Sequence, residues 1–156
     1  MAKVESTVIV QAPLETLWQL AQQVEKMPEY MSDLESVEVL EDETISPTQR
    51  QTKTRWVALI KQMNRKVRWT EEDIWDSEKH LCTFTQIEGD FSEYSGKWHF
   101  ESAGEQETKA HLELSYAIEI PLLGALIQKI ILKLMQGNCD NMLDCLKAEA
   151  EKQNSM

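Results

Sequence analysis

Two periodicities meet in the stretch Val4-Glu5-Ser6-Thr7-Val8-Ile9-Val10-Gln11-Ala12-Pro13-Leu14-Glu15-Thr16-Leu17-Trp18-Gln19-Leu20. Before Pro13, residues alternate with the period of a strand that has one covered face. That face would carry Val4, Ser6, Val8 and Val10. After Pro13, apolar residues recur at helical spacing: Leu14, Leu17, Trp18, Ala21 and Val24. Because proline lacks an N–H and has a fixed φ, it suits the first position of a helix. The stretch therefore predicts a strand that passes into a helix through a tight turn.

Length and charge restrict the kind of protein this can be. The chain has 156 residues, with 27 acidic and 16 basic side chains and a formal net charge of −11. The length predicts a single domain over residues 1–156 that can enclose a sizeable core or an internal cavity. The negative charge argues against nucleic acid as a partner and allows at most transient contact with an anionic membrane.

The cysteines and the N-terminal residues indicate a reducing compartment. Cys82, Cys139 and Cys145 are odd in number and lack metal-type spacing, so we expect reduced, mostly buried thiols. Met1 is followed by a charged strand rather than by a secretory leader, and no apolar run is long enough to span a membrane. The prediction is a cytoplasmic protein.

The rest of the chain predicts a sheet followed by a long helix. A short second helix is expected near residues 25–33, and strands at 36–41, 49–60, 66–76, 81–88, 93–101 and 109–120. Short polar loops between consecutive strands favour an antiparallel meander. After Pro121, an apolar stripe predicts one helix from Leu122 to about Lys152. The expected fold class is α+β, with about seven strands curved around the C-terminal helix and a lined cavity between them.

Several motifs resemble the helix-grip superfamily, which includes START lipid-transfer domains, birch-pollen-type allergens, polyketide cyclases and coenzyme Q-binding proteins. These motifs are Val8-Ile9-Val10-Gln11-Ala12-Pro13 with Leu17-Trp18, Met27-Pro28-Glu29-Tyr30-Met31, Gly89-Asp90-Phe91, Gly96-Lys97-Trp98-His99-Phe100 and Pro121-Leu122-Leu123. The resemblance covers nearly the whole chain and is greatest to the polyketide cyclase and coenzyme Q-binding branch. It implies a curved antiparallel sheet gripping the C-terminal helix around a deep apolar pocket for a lipid, quinone or polyketide.

The resemblance also places two candidate catalytic residues on the strand at 66–76. Aromatase/cyclases of this superfamily carry a Ser-x-Arg pair there, and the matching positions are Thr70 and Glu72. An acid in place of the arginine weakens the cyclase interpretation, because a carboxylate opposes developing enolate charge. If Arg68 shares the inner face, it would pair with Glu72; a bulge would instead turn Trp69 and Glu71 inward.

The predicted ligand contacts are aromatic and polar side chains on several strands, together with the inner face of the last helix. They are Tyr30, Trp56, Arg68, Thr70, Glu72, Tyr94, Trp98, Phe100, Tyr116, Ile127 and Ile131. No metal site is predicted, because His80, His99 and His111 lie on separate segments. No cofactor is predicted either, since the sequence carries no dinucleotide or phosphate-binding motif.

Three functions are compatible with the sequence. The leading one is a carrier or chaperone that binds a hydrophobic small molecule, and the second is a cyclase-type enzyme using the same cavity. The third is a protein-interaction module working through residues 122–127, whose apolar side chains could also form a homodimer interface. A monomer or a homodimer is therefore expected.

Overall fold

The computed structural model of the protein describes residues 1–118 and 124–155. Its strands are β1 (Ala2–Val10), β2 (Leu34–Thr44), β3 (Gln49–Ile60), β4 (Arg65–Asp76), β5 (Leu81–Gly89), β6 (Glu93–Gly104) and β7 (Glu107–Ala117). The helices are α1 (Leu14–Gln22) and α2 (Ala125–Asn154), and short 3-10 turns occur at Val24–Glu29 and Lys61–Met63.

The seven strands of the described residues form one antiparallel sheet in the order β1-β7-β6-β5-β4-β3-β2. Strands β2 to β7 follow one another as hairpins, as the short polar loops predict. Only β1 does not pair with the strand that follows it in the sequence, because α1 and the turn at Val24–Glu29 carry the chain from one edge of the sheet to the other. The curved sheet and the long C-terminal helix confirm the predicted helix-grip α+β fold.

The junction around Pro13 has the predicted form, shifted by one residue. Pro13 has φ −61° and ψ 151°, so it precedes the helix rather than occupying its first position. Its carbonyl accepts a hydrogen bond from the Leu17 N–H at 3.1 Å. The helix then buries one face, made by Leu17, Trp18, Leu20 and Ala21.

Helix α2 crosses the inner face of the sheet and is fixed along β1 by side-chain hydrogen bonds. Gln136 Nε2 donates to the Glu5 carbonyl and Lys147 Nζ to the Ile9 carbonyl, at 2.8 and 2.7 Å. Its buried side chains recur every three or four residues, as an amphipathic helix requires: Ile131, Met135, Cys139, Leu143, Leu146 and Ala150.

The predicted start of this helix at Leu122, and Pro121 before it, lie outside the described residues. The first turns of α2 that the structure describes are more exposed to solvent than their apolar sequence suggests, since Leu126 is 71% exposed and Ile130 is 48% exposed. Among the described residues, no helix is long and apolar enough to cross a membrane.

We expect Gly96→Ala to destabilise the fold, because β6 and β7 approach too closely there for a side chain. A Cβ atom on Gly96 would overlap the Glu113 carbonyl oxygen and lie 2.7 Å from Phe84 Cζ. The expected loss in the free energy of unfolding is about 2 kcal/mol, typical of overpacking, measured by urea denaturation. Gly104→Ala is the matched control, since its Cβ would meet nothing closer than Glu107 Cβ at 3.8 Å. Equal losses in the two variants would contradict the steric argument.

Candidate ligand-binding site

A cavity of about 60 Å³ lies between the inner face of the sheet and α2. Its walls are mostly apolar and aromatic. The lining residues from β3 to β7 include Trp56, Val67, Trp69, Glu71, Phe84, Tyr94, Trp98 and Leu112, and those from α2 are Met135, Asn138, Cys139 and Met142. Burial raises the pKa of the Cys139 thiol to about 12, so this cysteine lines the cavity as a neutral side chain.

The inner face of β4 carries the odd-numbered residues, contrary to the primary prediction from sequence. Trp69 and Glu71 line the cavity, whereas Glu72 is only partly buried and lies on the outer face. Thr70 is buried but belongs to the same outer face and does not line the cavity. The alternation is uninterrupted along β4, and the bulge at this level lies in β5, where Ile87 is skipped in the pairing. The odd face is inside because it carries the large apolar side chains.

A pair of carboxyl groups, Glu71 and Asp73, is buried at this face and enclosed by hydrogen bonds. The two groups hydrogen-bond to each other. Trp69 Nε1 donates to Glu71 Oε1 at 2.7 Å. Thr52 Oγ1 and Thr54 Oγ1 both donate to Asp73 Oδ2, at 2.9 and 2.7 Å.

Two further indoles complete this buried network. Trp56 Nε1 donates to Thr54 Oγ1 at 2.8 Å, and Trp75 Nε1 donates to Thr52 Oγ1 at 3.1 Å. Each threonine hydroxyl therefore accepts from an indole and donates to Asp73. The network gives partners to polar groups whose burial would otherwise cost several kcal/mol.

One proton is held between the two acids. Burial raises the pKa of Glu71 well above its usual range, and the charge of Asp73 and the hydrogen bond to it act in the same direction. Burial also raises the pKa of Asp73, but the hydrogen bonds from Glu71, Thr54 and Thr52 oppose that effect. We therefore place the proton on Glu71, which donates it to the Asp73 carboxylate. The remaining lone pairs of Glu71 then make it a hydrogen-bond acceptor at the cavity wall.

Aromatic rings fix the shape of the cavity. Trp56 and Trp69 stack with ring centroids 5.9 Å apart and planes 5° apart. Tyr94 lies 5.0 Å from Trp69 and 4.6 Å from Phe91, again between ring centroids. Gln86 Nε2 donates to the Phe91 carbonyl at 2.8 Å, which ties the β5–β6 loop to the wall.

A second, open recess of about 590 Å³ adjoins the cavity. Ile60, Val67 and Met135 line both spaces, so the recess is the described approach to the cavity. Its apolar wall includes Ile131 and Leu134 of α2. Its polar wall is made by Asn64, Arg65, Lys66, Arg68 and Asp90.

Comparison with known proteins agrees with this geometry. The family model described as polyketide cyclase / dehydrase and lipid transport matches residues 10–143. The chain belongs to this family. The crystal structure of TTHA0849 from Thermus thermophilus is similar to this chain. The two sequences are 36% identical, and the TM-score is 0.88, with 97% of this chain and 99% of that chain covered. A search among curated proteins finds no match.

Two more distant solved structures share the fold of this polyketide cyclase/dehydrase family member. The ZhuI aromatase/cyclase from Streptomyces is 20% identical, with a TM-score of 0.86, covering 97% of this chain and 94% of that chain. A START superfamily protein from Mycobacterium smegmatis is 17% identical, with a TM-score of 0.78 over 97% and 98% of the two chains. Membership in the family supports a hydrophobic ligand or a polyketide-like substrate.

The structure distributes the predicted contact residues over several places. Trp56, Tyr94 and Trp98 line the cavity, whereas Arg68 and Ile131 line the recess. Phe100 and Tyr116, which are buried in the core, line neither space, and the same holds for Thr70, Glu72 and Ile127, the last of which is 37% exposed. Tyr30 also lines neither, and the pKa of its hydroxyl is raised by burial and by the charge of Glu149.

The acid pair is the part of the site that the primary sequence interpretation missed. Glu71 appeared there only as the alternative that a bulge would create, and Asp73 did not appear as a site residue. The sequence did contain a pattern that indicates the buried face of β4. Val67, Trp69 and Trp75 are odd-numbered, as Glu71 and Asp73 are, so all five side chains lie on the same face of the strand. Three large apolar residues on one face outweigh the polar residues at Arg68, Thr70 and Glu72 in deciding which face is buried.

Among the described residues, one histidine, His111, lies close to two carboxylates, on the outer face of the sheet. Side-chain ligand atoms of Glu5, His111 and Glu113 lie within 4.8 Å of one another. Lys3 and Lys97 already approach Glu113, with Nζ to carboxylate distances of 3.7 and 3.6 Å. These ammonium groups neutralise the charge that a cation would use.

We expect Glu71→Gln to change how the stability of this family member depends on pH. The pKa of Glu71 is raised on folding, so the folded protein holds a proton that the unfolded chain releases above about pH 4.3. Relative to the variant, the wild-type free energy of unfolding should fall by up to about 1.4 kcal/mol per pH unit above that value, until the folded-state pKa is passed. Urea denaturation at a series of pH values measures the difference.

Glu72→Gln is the matched control, because it removes an acid from the outer face of the same strand. The glutamine at position 71 retains an acceptor for Trp69 Nε1 and donors toward Asp73, so the variant is expected to fold. Parallel pH curves for the wild-type protein and Glu71→Gln would contradict a proton held on Glu71.

Proposed function

We propose that the protein binds a hydrophobic small molecule in the cavity and the adjoining recess, as a carrier or chaperone for that molecule. The observation that supports this most is an apolar space that ends at a single buried acid pair and opens into a wider recess. Such a space suits a ligand that is mostly apolar and has one polar group to be oriented.

The two volumes indicate how such a ligand would lie. An engineered apolar cavity that holds a benzene ring measures roughly 150 Å³. The inner cavity, at about 60 Å³, is smaller than this and would accept only a narrow part of a ligand without rearrangement. The bulk of the molecule would occupy the recess of about 590 Å³, where α2 presents Ile131 and Leu134.

The acid pair would select the polar group at the narrow end. Because Glu71 commits its proton to Asp73, it can accept a hydrogen bond from a ligand but has no second proton to donate. A ligand hydroxyl is a donor of the right kind, and its burial against Glu71 would leave no unpaired polar atom. We therefore propose a ligand whose inner end carries a hydroxyl group.

A second candidate function is acid–base catalysis at the same pair, which the held proton favours. If Glu71 exchanged a proton with a bound polyketide-like substrate, Glu71→Gln would abolish turnover and leave binding intact. Glu72→Gln would then retain both. This candidate replaces Thr70 and Glu72 with Glu71 and Asp73 as the groups that act on the substrate.

Lauryl alcohol tests the binding proposal, because it combines a narrow apolar chain with one hydroxyl. We expect it to change the intrinsic fluorescence of the wild-type protein, since Trp56, Trp69 and Trp98 line the cavity. Val67→Trp should weaken binding by at least about tenfold, because Val67 lies where cavity and recess meet and a larger side chain would block the passage.

Val57→Trp is the matched control. Val57 precedes Ala58, the residue of β3 that pairs with Val67, and its side chain therefore points to the outer face of the sheet. Circular dichroism establishes that both variants are folded. Equal affinities for the two tryptophan variants, or the absence of any co-purifying apolar molecule together with no response to lauryl alcohol, would refute the proposed function.

A further inference from the structure

The hydroxyl group of Tyr94 is a polar group of the inner cavity that the acid pair does not use. Tyr94 lies on the inner face of β6 and lines the cavity. The hydrogen bonds formed by the described residues include none to its hydroxyl group. Among the described residues, the sealed polar side-chain atoms without a partner belong to Tyr30, Arg50 and Gln86, so the Tyr94 oxygen retains accessible surface.

The surroundings of this hydroxyl group show that its accessible surface faces the cavity. Burial raises the pKa of Tyr94 well above its usual range, and the negative charge of the pair formed by Glu71 and Asp73 acts in the same direction. A phenol that is enclosed by protein and still has accessible surface must face an internal space, and the cavity is the space that Tyr94 lines. The hydroxyl group is therefore protonated at neutral pH and can donate a hydrogen bond there.

The side chain of Tyr94 extends toward the acid pair. Strand β6 is separated from β4 by β5, which places the two strands about 10 Å apart at the usual spacing. The rings of Tyr94 and Trp69 are nevertheless only 5.0 Å apart between centroids, and the ring of Tyr94 is 5.6 Å from that of Phe84 on β5. Tyr94 thus leans across β5 toward the indole whose N–H donates to Glu71.

The register of the strands also places Tyr94 level with Glu71. Glu71 of β4 pairs with Gln86 of β5. The adjacent pair between β5 and β6 is Thr85 with Ser95, so the next residues, Gln86 and Tyr94, lie opposite each other. A line across the three strands therefore joins Glu71 to Tyr94, and both side chains lie on the cavity side of the sheet.

Other side-chain N–H groups among the described lining residues are less well placed. The indole N–H groups of Trp56 and Trp69 already donate to acceptors within the protein. Trp98 lies four residues beyond Tyr94 on the same strand, a displacement of about 13 Å. Asn138 belongs to α2, on the wall that faces the sheet. Tyr94 is therefore the donor best aligned with the acid pair.

A ligand hydroxyl group at Glu71 needs a donor as well as an acceptor. When it gives its proton to Glu71, its own oxygen is left without a partner in an enclosed apolar space, which is costly. We infer that Tyr94 donates a hydrogen bond to this oxygen, so that the ligand is an alcohol or a phenol held between Tyr94 and Glu71. This inference rests on the proposed function and adds the residue that selects the inner group. A protonated amine has no lone pair for Tyr94, and an ether has no proton for Glu71.

A comparison of n-octanol with n-octanethiol tests the contact, because the two ligands differ only in the atom that Tyr94 would bind. Sulfur is a weak hydrogen-bond acceptor, so octanethiol gains little from the tyrosine. In Tyr94→Phe, we expect the dissociation constant of octanol to rise about tenfold and that of octanethiol to change by less than about twofold. Titrations followed by tryptophan fluorescence measure both constants.

Tyr116→Phe is the matched control. Tyr116 pairs with Tyr94 across β6 and β7, is buried on the same face of the sheet and lines neither the cavity nor the recess. This variant should leave both dissociation constants unchanged. If Tyr94 served only as a wall, its replacement would weaken both ligands equally, so the selective loss of octanol distinguishes a hydrogen bond from packing.

A measurement on the wild-type protein does not depend on whether Tyr94→Phe folds. The chain has three tyrosines, so tyrosine labelled with an NMR-active carbon at Cζ gives one resonance for each hydroxyl-bearing carbon. Tyr30→Phe and Tyr116→Phe assign the Tyr94 resonance by elimination. Octanol should shift this resonance clearly more than octanethiol does, because a hydrogen bond from the hydroxyl group changes the electron density at Cζ.

The outcomes separate this inference from the proposed function. Failure of both ligands to bind the wild-type protein would overturn the two together. If both ligands bind, an unchanged affinity of Tyr94→Phe for octanol, equal weakening of both ligands in that variant, or equal shifts of the Tyr94 resonance would overturn the contact with Tyr94 and leave the binding function standing. A selective loss of octanol in Asn138→Ala, with Tyr94→Phe unaffected, would also overturn it and would assign the donor to α2.

Discussion

The hydrogen bond between the carboxyl groups of Glu71 and Asp73 constrains the whole interior of the protein. Two acids can be buried together only if one keeps its proton and the other receives enough donors to remain charged. Thr52 and Thr54 supply those donors, and each is oriented in turn by an indole N–H from Trp75 or Trp56. The polar network therefore fixes the aromatic side chains that surround it.

The same network explains why the space beneath α2 is narrow at one end and wide at the other. Around the acids, Trp56 and Trp69 are held in a parallel stack, and Tyr94 packs against Trp69. Toward the start of β4 the polar network ends, and the recess opens beside Ile131 and Leu134 of α2. The resulting recess combines an apolar wall with a polar one. A ligand with two chemically different ends fits this gradient better than a uniformly apolar one.

The sequence predicted the architecture better than the site. The alternation before Pro13, the hairpin loops and the apolar stripe of α2 were sufficient for the fold. Of the predicted contacts, Trp98 came from the resemblance to the helix-grip superfamily, Tyr94 from sharing its strand face, and Trp56 was open to either a lining or a packing role; all three line the cavity. The face of β4 was predicted wrongly, because Arg68, Thr70 and Glu72 looked like a polar inner row. In a strand that has polar residues on both faces, the pattern does not distinguish a buried acid with partners from a solvated one.

The sequence by itself determined the fold: a strand, two short helices, six hairpin strands and a long helix. The periodicity of these segments leaves few ways to bury their apolar faces. Only the tertiary structure decided which residues line the cavity. The threonines that donate to Asp73 come from β3, and the recess is lined by residues of β3, β4 and α2 that lie far apart in the sequence. The state of a buried proton depends on distances between strands, which periodicity along one strand does not encode.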